Sequence, residues 1–169
     1  MIVIYKTVNP RDIKDNLIKC FAEEWALITA GNLNGYNMMT ASWGFFGEMW
    51  GEDSIAVVVR PQRYTMEFLE SSEYFTVSFY GDNKAIHKIC GSKSGRDVNK
   101  TLETGLTPVA GEKYVYFKEA RMVLVVKKQF MQPLAETGFL DKSVVERWYK
   151  ENDFHNLIIG KIEKVLIAE

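Results

Sequence analysis

Three stretches of the chain carry residue types that could hold a flat, polar, anionic ligand. The first is Gly35-Tyr36-Asn37-Met38-Met39-Thr40-Ala41-Ser42-Trp43-Gly44, which combines an amide, two small hydroxyls and large soft or flat apolar groups. On an extended segment Thr40 and Ser42 project to one face, and the small Ala41 between them leaves the backbone open to a ring. That chemistry suits a heteroaromatic group needing hydroxyl and main-chain hydrogen bonds. The same residues also suit a plain strand whose Met38, Met39 and Trp43 fill gaps in a core.

The second stretch, Val59-Arg60-Pro61-Gln62-Arg63-Tyr64-Thr65, places Arg60 and Arg63 around a proline-stiffened turn. Two guanidiniums supply forked donors for a phosphate, with free backbone amides beside them where a helix begins at Thr65. Glu67 in that helix's first turn works against a phosphate on the axis, and two solvated arginines are the bland alternative. The third stretch, Cys90-Gly91-Ser92-Lys93-Ser94-Gly95-Arg96-Asp97, is a loop of glycines, hydroxyls and cations able to wrap an anion, or a turn that ends a helix. It lacks the Gly-Lys-Ser/Thr ending of a nucleotide P-loop, which excludes that ATP or GTP site. Cys90 reads as a buried apolar thiol, since no base accompanies it. His155, in Asp153-Phe154-His155-Asn156, could donate to a cofactor or substrate but reads first as a turn histidine bonded to a neighbouring carbonyl; His87 reads as solvated.

The elements that must position these stretches are mostly strands. Apolar runs or alternation predict strands over 25–30, 54–60, 74–80, 114–117, 121–130 and 157–167. In Tyr74–Tyr80, Phe75, Val77 and Phe79 share one face and Thr76 and Ser78 the other, which predicts one buried and one wet face. Helical spacing predicts short helices over 65–72, over 82–90 with Asp82 as its cap and Gly91 as its stop, and over 141–150. Many strands with brief helices and no βαβ alternation predict an all-β antiparallel barrel or sandwich, in one domain spanning 1–169.

Composition narrows the partners. With Lys+Arg 21 against Asp+Glu 22 the formal charge is -1, and no basic run offers a footprint for nucleic acid. Cys20 and Cys90 lie far apart and only His87 and His155 are available, too few for a Cys/His zinc site. No segment approaches the ~20 apolar residues of a membrane span, and the opening Met-Ile-Val-Ile-Tyr-Lys has the wrong order for a secretory signal. A reducing, cytoplasmic setting is the expectation. A G-x-G-x-x-G fingerprint is absent, so any nicotinamide has no dinucleotide-binding fold of its own to dock on.

Taken together, the stretches 37–44, 59–65 and 90–97, followed by Asp153-Phe154-His155 before a closing strand, resemble the flavin reductase-like family in order and spacing, over 25–167. The resemblance implies a six-stranded antiparallel Greek-key split barrel binding FMN, usually a homodimer with the flavin near the subunit interface. It implies that Asn37, Met38, Met39, Thr40, Ala41, Ser42 and Trp43 line the ring and ribityl chain. It further implies that Arg60, Arg63, Tyr64 and Thr65 face the phosphate end, and that Ser92, Lys93, Ser94 and Arg96 close over it. The cofactor would carry the redox chemistry, with no protein nucleophile. The expected activity is transfer of hydride from NAD(P)H to bound flavin and of electrons onward to free flavin or another acceptor. A flavoredoxin-like electron-transfer protein serving a redox partner is the alternative.

Overall fold

The computed structural model describes residues 3–169; Met1 and Ile2, which begin the apolar N-terminal run, lie outside the described residues. Ten strands run in the order β1 (Tyr5–Val8), β2 (Ala26–Asn32), β3 (Gly35–Ala41), β4 (Gly44–Met49), β5 (Glu52–Val59), β6 (Tyr74–Phe79), β7 (Pro108–Ala110), β8 (Val115–Phe117), β9 (Met122–Pro133) and β10 (Asn156–Ala168). Helices α1 (Leu17–Lys19, continued by a π turn over Cys20–Glu24), α2 (Thr65–Ser71), α3 (Lys84–Ser92), α4 (Lys100–Thr104) and α5 (Lys142–Trp148) lie between them. Among the described residues no helix is long and apolar enough to cross a membrane.

Eight strands form one antiparallel sheet in the order β3-β2-β6-β9-β10-β5-β4, with β1 joined to β10 off that path. The long β10 pairs with β9 almost throughout; its first half holds β5 and its end holds β1. Its register against β9 breaks at Ile159/Gly160 and again at Ile162/Lys164, irregularities of the kind that bend a strand and let a long sheet coil. The sheet stays open, ending in β3 on one side and β4 on the other. The all-β class with short helices is therefore what the sequence predicts. The main sheet has eight strands rather than six because β3 and β4 extend its path and β1 joins β10 beside it, all three short or poor in β-branched residues; β7 and β8 pair separately.

Both faces of the sheet are covered. Ile28, Val57, Phe75, Val77, Leu124 and Ile158 fill one core, and Leu27, Met38, Ile86, Cys90, Phe117 and Val123 fill the other. The wet face expected of β6 is accordingly a correction: Thr76 and Ser78 are buried beneath the β7–β8 hairpin, and the Thr76 hydroxyl donates to the Val115 carbonyl at 2.8 Å. Alternation read from the strand alone does not reveal a lid of two further strands.

The helix ends also differ from expectation. Helix α3 starts at Lys84 behind Asn83, without a side-chain cap from Asp82, and passes through Gly91 to Ser92. Gly91 faces β3 there, and a Cβ at that position would make an ordinary 3.5 Å contact with Thr40 Cβ, so the glycine is not what ends the helix. Helix α5 does carry its acidic cap, the Asp141 carboxylate accepting from Ser143 N–H at 3.0 Å.

The register break in β10 makes Gly160 irreplaceable: an added Cβ would lie 2.5 Å from Val126 Cγ1 and 2.6 Å from the Lys127 carbonyl oxygen. Gly160→Ala is expected to cost about 1–3 kcal/mol of folding free energy through overpacking against backbone, read as a lower midpoint in urea unfolding.

Candidate functional site

Strand β3 hydrogen-bonds to β2 alone, so one edge of its main chain faces away from the sheet. The Met38 carbonyl lies on that outer edge, where it accepts from Lys100 Nζ at 2.8 Å. In an antiparallel strand each residue turns both its N–H and its C=O to the same side, and alternate residues share that side. Tyr36 and Thr40 therefore present their main-chain groups outward along with Met38. Two adjoining cavities run along this edge.

The first cavity, about 340 Å³, gathers parts of all three sequence stretches: Asn37 and Met39 from β3, Arg63, Tyr64 and Thr65 from the turn into α2, and Ser92, Lys93, Ser94 and Gly95 from the loop after α3. Its lining contains Arg63, Lys93 and Lys100 and no carboxylate. Lys93 is paired with Glu103 at 2.6 Å, whereas Arg63 makes only a long contact to the Gly91 carbonyl and no ion pair among the described residues. Lys100 is 5% exposed and bonded to two carbonyl oxygens, of Met38 and of Cys90 (3.1 Å), with no acid to neutralise it. Burial lowers the pKa of this ammonium, and the charge of Arg63 lowers it further. A buried cation without a counter-ion is costly, so an anion placed in this cavity would be stabilised.

Its polar wall is ordered from within. Asn37 Nδ2 donates to the Thr65 hydroxyl at 2.9 Å, leaving the Thr65 proton free to donate. Thr65 is the first residue of α2, and Tyr64 occupies the cap position without a side-chain bond. Gly95 lies directly on Asn37, where any Cβ would collide with the amide oxygen.

The second cavity, a slot of about 160 Å³, is lined by Met39, Thr40, Ala41, Ser42 and Trp43, by Arg60 and Arg63, and by Trp148 and His155. Met39 and Arg63 border both cavities. Trp43 and Trp148 meet edge to face at 4.9 Å, and His155 lies 5.0 Å from the Trp43 ring. The slot is flat-walled, aromatic and edged by the outward main chain of Thr40. The Thr40 side chain points elsewhere, to α3, bonding His87 Nδ1 at 3.0 Å and the His87 carbonyl at 3.3 Å. Thr40 and Ser42 therefore do not bracket a ligand with paired hydroxyls; what Thr40 offers is main chain.

Several side chains take other places than the sequence implied. Arg60 borders the slot, not the cationic cavity, and it is engaged: it pairs with the Asp153 carboxylate and donates to the Trp148 carbonyl at 2.8 Å. It holds the turn that carries Trp148 and His155. Hydrogen bonds from Gln62 and Arg60 keep the Asp153 carboxyl below its ordinary pKa. Arg96 pairs with Glu67, stacks 4.6 Å above the Tyr64 ring and lies outside the lining of the cationic cavity. The Ser92 hydroxyl donates to the Lys88 carbonyl at 2.6 Å, and the Ser94 hydroxyl accepts from the Arg96 N–H at 3.2 Å. Cys90 is buried, its thiol pushed up to about 11 by burial.

The two histidines are corrections. His155 bonds the Tyr149 hydroxyl at 2.9 Å through Nδ1, not a neighbouring carbonyl. His87 is 2% exposed rather than solvated, because α3 turns it onto β3 against Thr40. Lys100, Trp148 and Tyr149 carry no signal that isolates them in sequence: a lysine opening a five-residue helix reads as a solvated charge.

The family profile of the flavin reductase like domain matches residues 18–169. The chain belongs to that family. Among curated proteins no sequence matches it. Of solved structures, it is similar to flavoredoxin of Desulfovibrio vulgaris (Miyazaki F), at 23% identity over 86% of this chain and 69% of that one, with a TM-score of 0.66. It is similar also to nitrilotriacetate monooxygenase component B from Bacillus cereus, at 18% identity over 97% and 82%, TM-score 0.67. A third, a split barrel domain protein from Shewanella frigidimarina, shares 18% identity over 94% and 74%, TM-score 0.65. The open, coiled sheet described above is this split-barrel fold.

Burial, with nearby cations adding to it, lowers both histidine pKa values to about 4. The folded state then binds fewer protons than the unfolded chain between the ordinary 6.5 and 4. The stability tied to their neutral forms is complete above the ordinary value and drains away as pH falls toward 4. Imidazole ¹⁵N shifts are expected to stay those of neutral rings at pH 5.5, and a midpoint of protonation above pH 6 for either ring would contradict the buried geometry.

Proposed function

We propose that the protein is an FMN-dependent oxidoreductase that accepts hydride from NAD(P)H and passes electrons to free flavin or another acceptor. The observation that carries this reading is the pairing of an acid-free cationic cavity with an aromatic slot along one open strand edge. The donor set fits FMN: a phosphate at one end, a flat ring at the other and a polar chain between them. When bound, FMN supplies the redox chemistry, its ring taking up a hydride or electrons and releasing them to an acceptor.

The chain's own residues bind and orient. Arg63 and Lys93 would hold the phosphate from the solvent side and Lys100 from within, with hydrogen bonds from Thr65 and Ser94. Asn37, fixed by Thr65 and pressed by Gly95, would meet the ribityl hydroxyls. The outward N–H and C=O of Thr40 suit the pyrimidine edge of a flavin, which alternates acceptor and donor. Trp43 and Trp148 would flank the ring in the slot, and Arg60 holds Trp148 in place through its carbonyl. His155 stays neutral near pH 7 and takes its orientation from Tyr149; with that hydroxyl donating to Nδ1, Nε2–H is the proton His155 can offer.

A second reading, an electron carrier serving a protein partner, draws support from the narrowness of the slot, where two tryptophans leave little room for a nicotinamide to stack. An anaerobic titration of the FMN-loaded protein with NADH and then NADPH separates the two. Prompt bleaching of the visible flavin band by either donor is expected. Bleaching by dithionite alone would overturn hydride acceptance in favour of the carrier, and a protein that takes up no FMN would overturn both.

A further inference from the structure

Helix α3 grips the free edge of β3 at Thr40. The Thr40 hydroxyl meets His87 Nδ1 at 3.0 Å and the His87 carbonyl at 3.3 Å, and Gly91, one turn along the same helix, faces the same threonine. We propose that His87 is a positioning residue for the flavin: through the Thr40 hydroxyl it fixes the Thr40 main chain toward the ring's pyrimidine edge, and so sets how tightly the ring is held and how readily it is reduced. The inference rests on the flavin reading above and adds to it a residue that does not itself line the slot.

In a strand the side chain stands off the sheet while N–H and C=O lie in its plane, so Thr40 can be held from the α3 side with its main chain left unused. The hold matters at this position because β3 has only β2 beside it and ends at Ala41, the next residue. The His87 ring is buried and set edge to face against Trp25 at 5.9 Å and Tyr80 at 6.2 Å, which restrains it from turning. Trp25 is covered in turn by Lys84 Nζ, 3.9 Å from its ring centroid. Space-filling alone does not account for an imidazole here. Its Nε2 is buried and makes no hydrogen bond among the described residues, a cost that an apolar ring would not carry. What the imidazole supplies and an apolar ring could not is the bond to Thr40. A Thr40 N–H held at a flavin carbonyl would stabilise the electron-rich reduced ring more than the oxidised one, since a donor aimed at developing negative charge favours it.

The test combines fluorescence-quenching titrations with riboflavin and FMN and the midpoint potential of bound FMN, in the unaltered protein, His87→Phe, Thr40→Val and the double variant. Each single substitution is expected to weaken riboflavin and FMN by the same factor, about three- to tenfold for one hydrogen bond, and to lower the potential. The double variant is expected to be no worse than either single one, because both remove the same bond. His87→Asn, whose amide can stand where Nδ1 does, is expected to recover most of the loss. Should His87→Phe not fold, Thr40→Val decides the matter, since it leaves α3 untouched. Unchanged binding and potential, full additivity in the double variant, or weaker binding with the potential unmoved would reduce His87 to a packing role and overturn the inference. Failure of the unaltered protein to bind any flavin would instead overturn the function on which the inference rests.

Discussion

The outer edge of β3 is a row of main-chain donors and acceptors that no neighbouring strand satisfies. Proteins cover or blunt such edges, because an open one invites pairing with another chain. Here the edge is managed piecewise. Lys100 takes the Met38 carbonyl, the Tyr36 side chain ties to Thr101 at 3.0 Å, and the aromatic pair Trp43 and Trp148 shelters the stretch near Thr40. What is left open is a short, walled length of backbone with a cationic cavity at one end. Everything else in the site depends on that strand having a single partner.

The distribution of charge follows from how each cation is held. Arg60 and Arg96 look equivalent to Arg63 in sequence, yet each is drawn into an ion pair that fixes a piece of chain: Arg60 to Asp153 under the Trp148 turn, Arg96 to Glu67 beside Tyr64. Arg63 has no such acid, and Lys100 has only carbonyl oxygens. Their combined field is strongest where their charges are least compensated, so an anion gains most in that cavity. Arg60 and Arg96 hold the walls of the site in place, while Arg63 and Lys100 face into its cavity without an acid of their own.

Much of this was legible from the residues. The three stretches do converge, and the long strands β5, β6, β9 and β10 stand out because Val, Ile and Phe crowd them. The short strands β1 and β7 escape a reading based on periodicity, since three or four residues carry too little pattern, and β4 escapes it because its glycines and lack of β-branched residues blur the strand signal. The wet face expected of β6 fails for a tertiary reason, the β7–β8 hairpin folding over Thr76 and Ser78. His87 fails similarly: its position off the apolar stripe of α3 suggests solvent, but α3 lies against β3 and the ring finds Thr40. Lys100 was hidden because burial of a lysine depends on which chain segments close above it, and here those are the end of α3, ten residues upstream at Cys90, and β3, sixty-two residues away at Met38.

The open-edge site is tested most directly by following the backbone amides of ¹⁵N-labelled protein as FMN is added. The largest shifts and the strongest slowing of amide exchange should fall on Thr40–Trp43 and on Lys93–Arg96, with the buried strands β6 and β9 unmoved. Saturable FMN binding that instead perturbs the β7–β8 hairpin, and leaves the Thr40 amide exchanging freely, would contradict the assignment of the flavin to the free edge of β3.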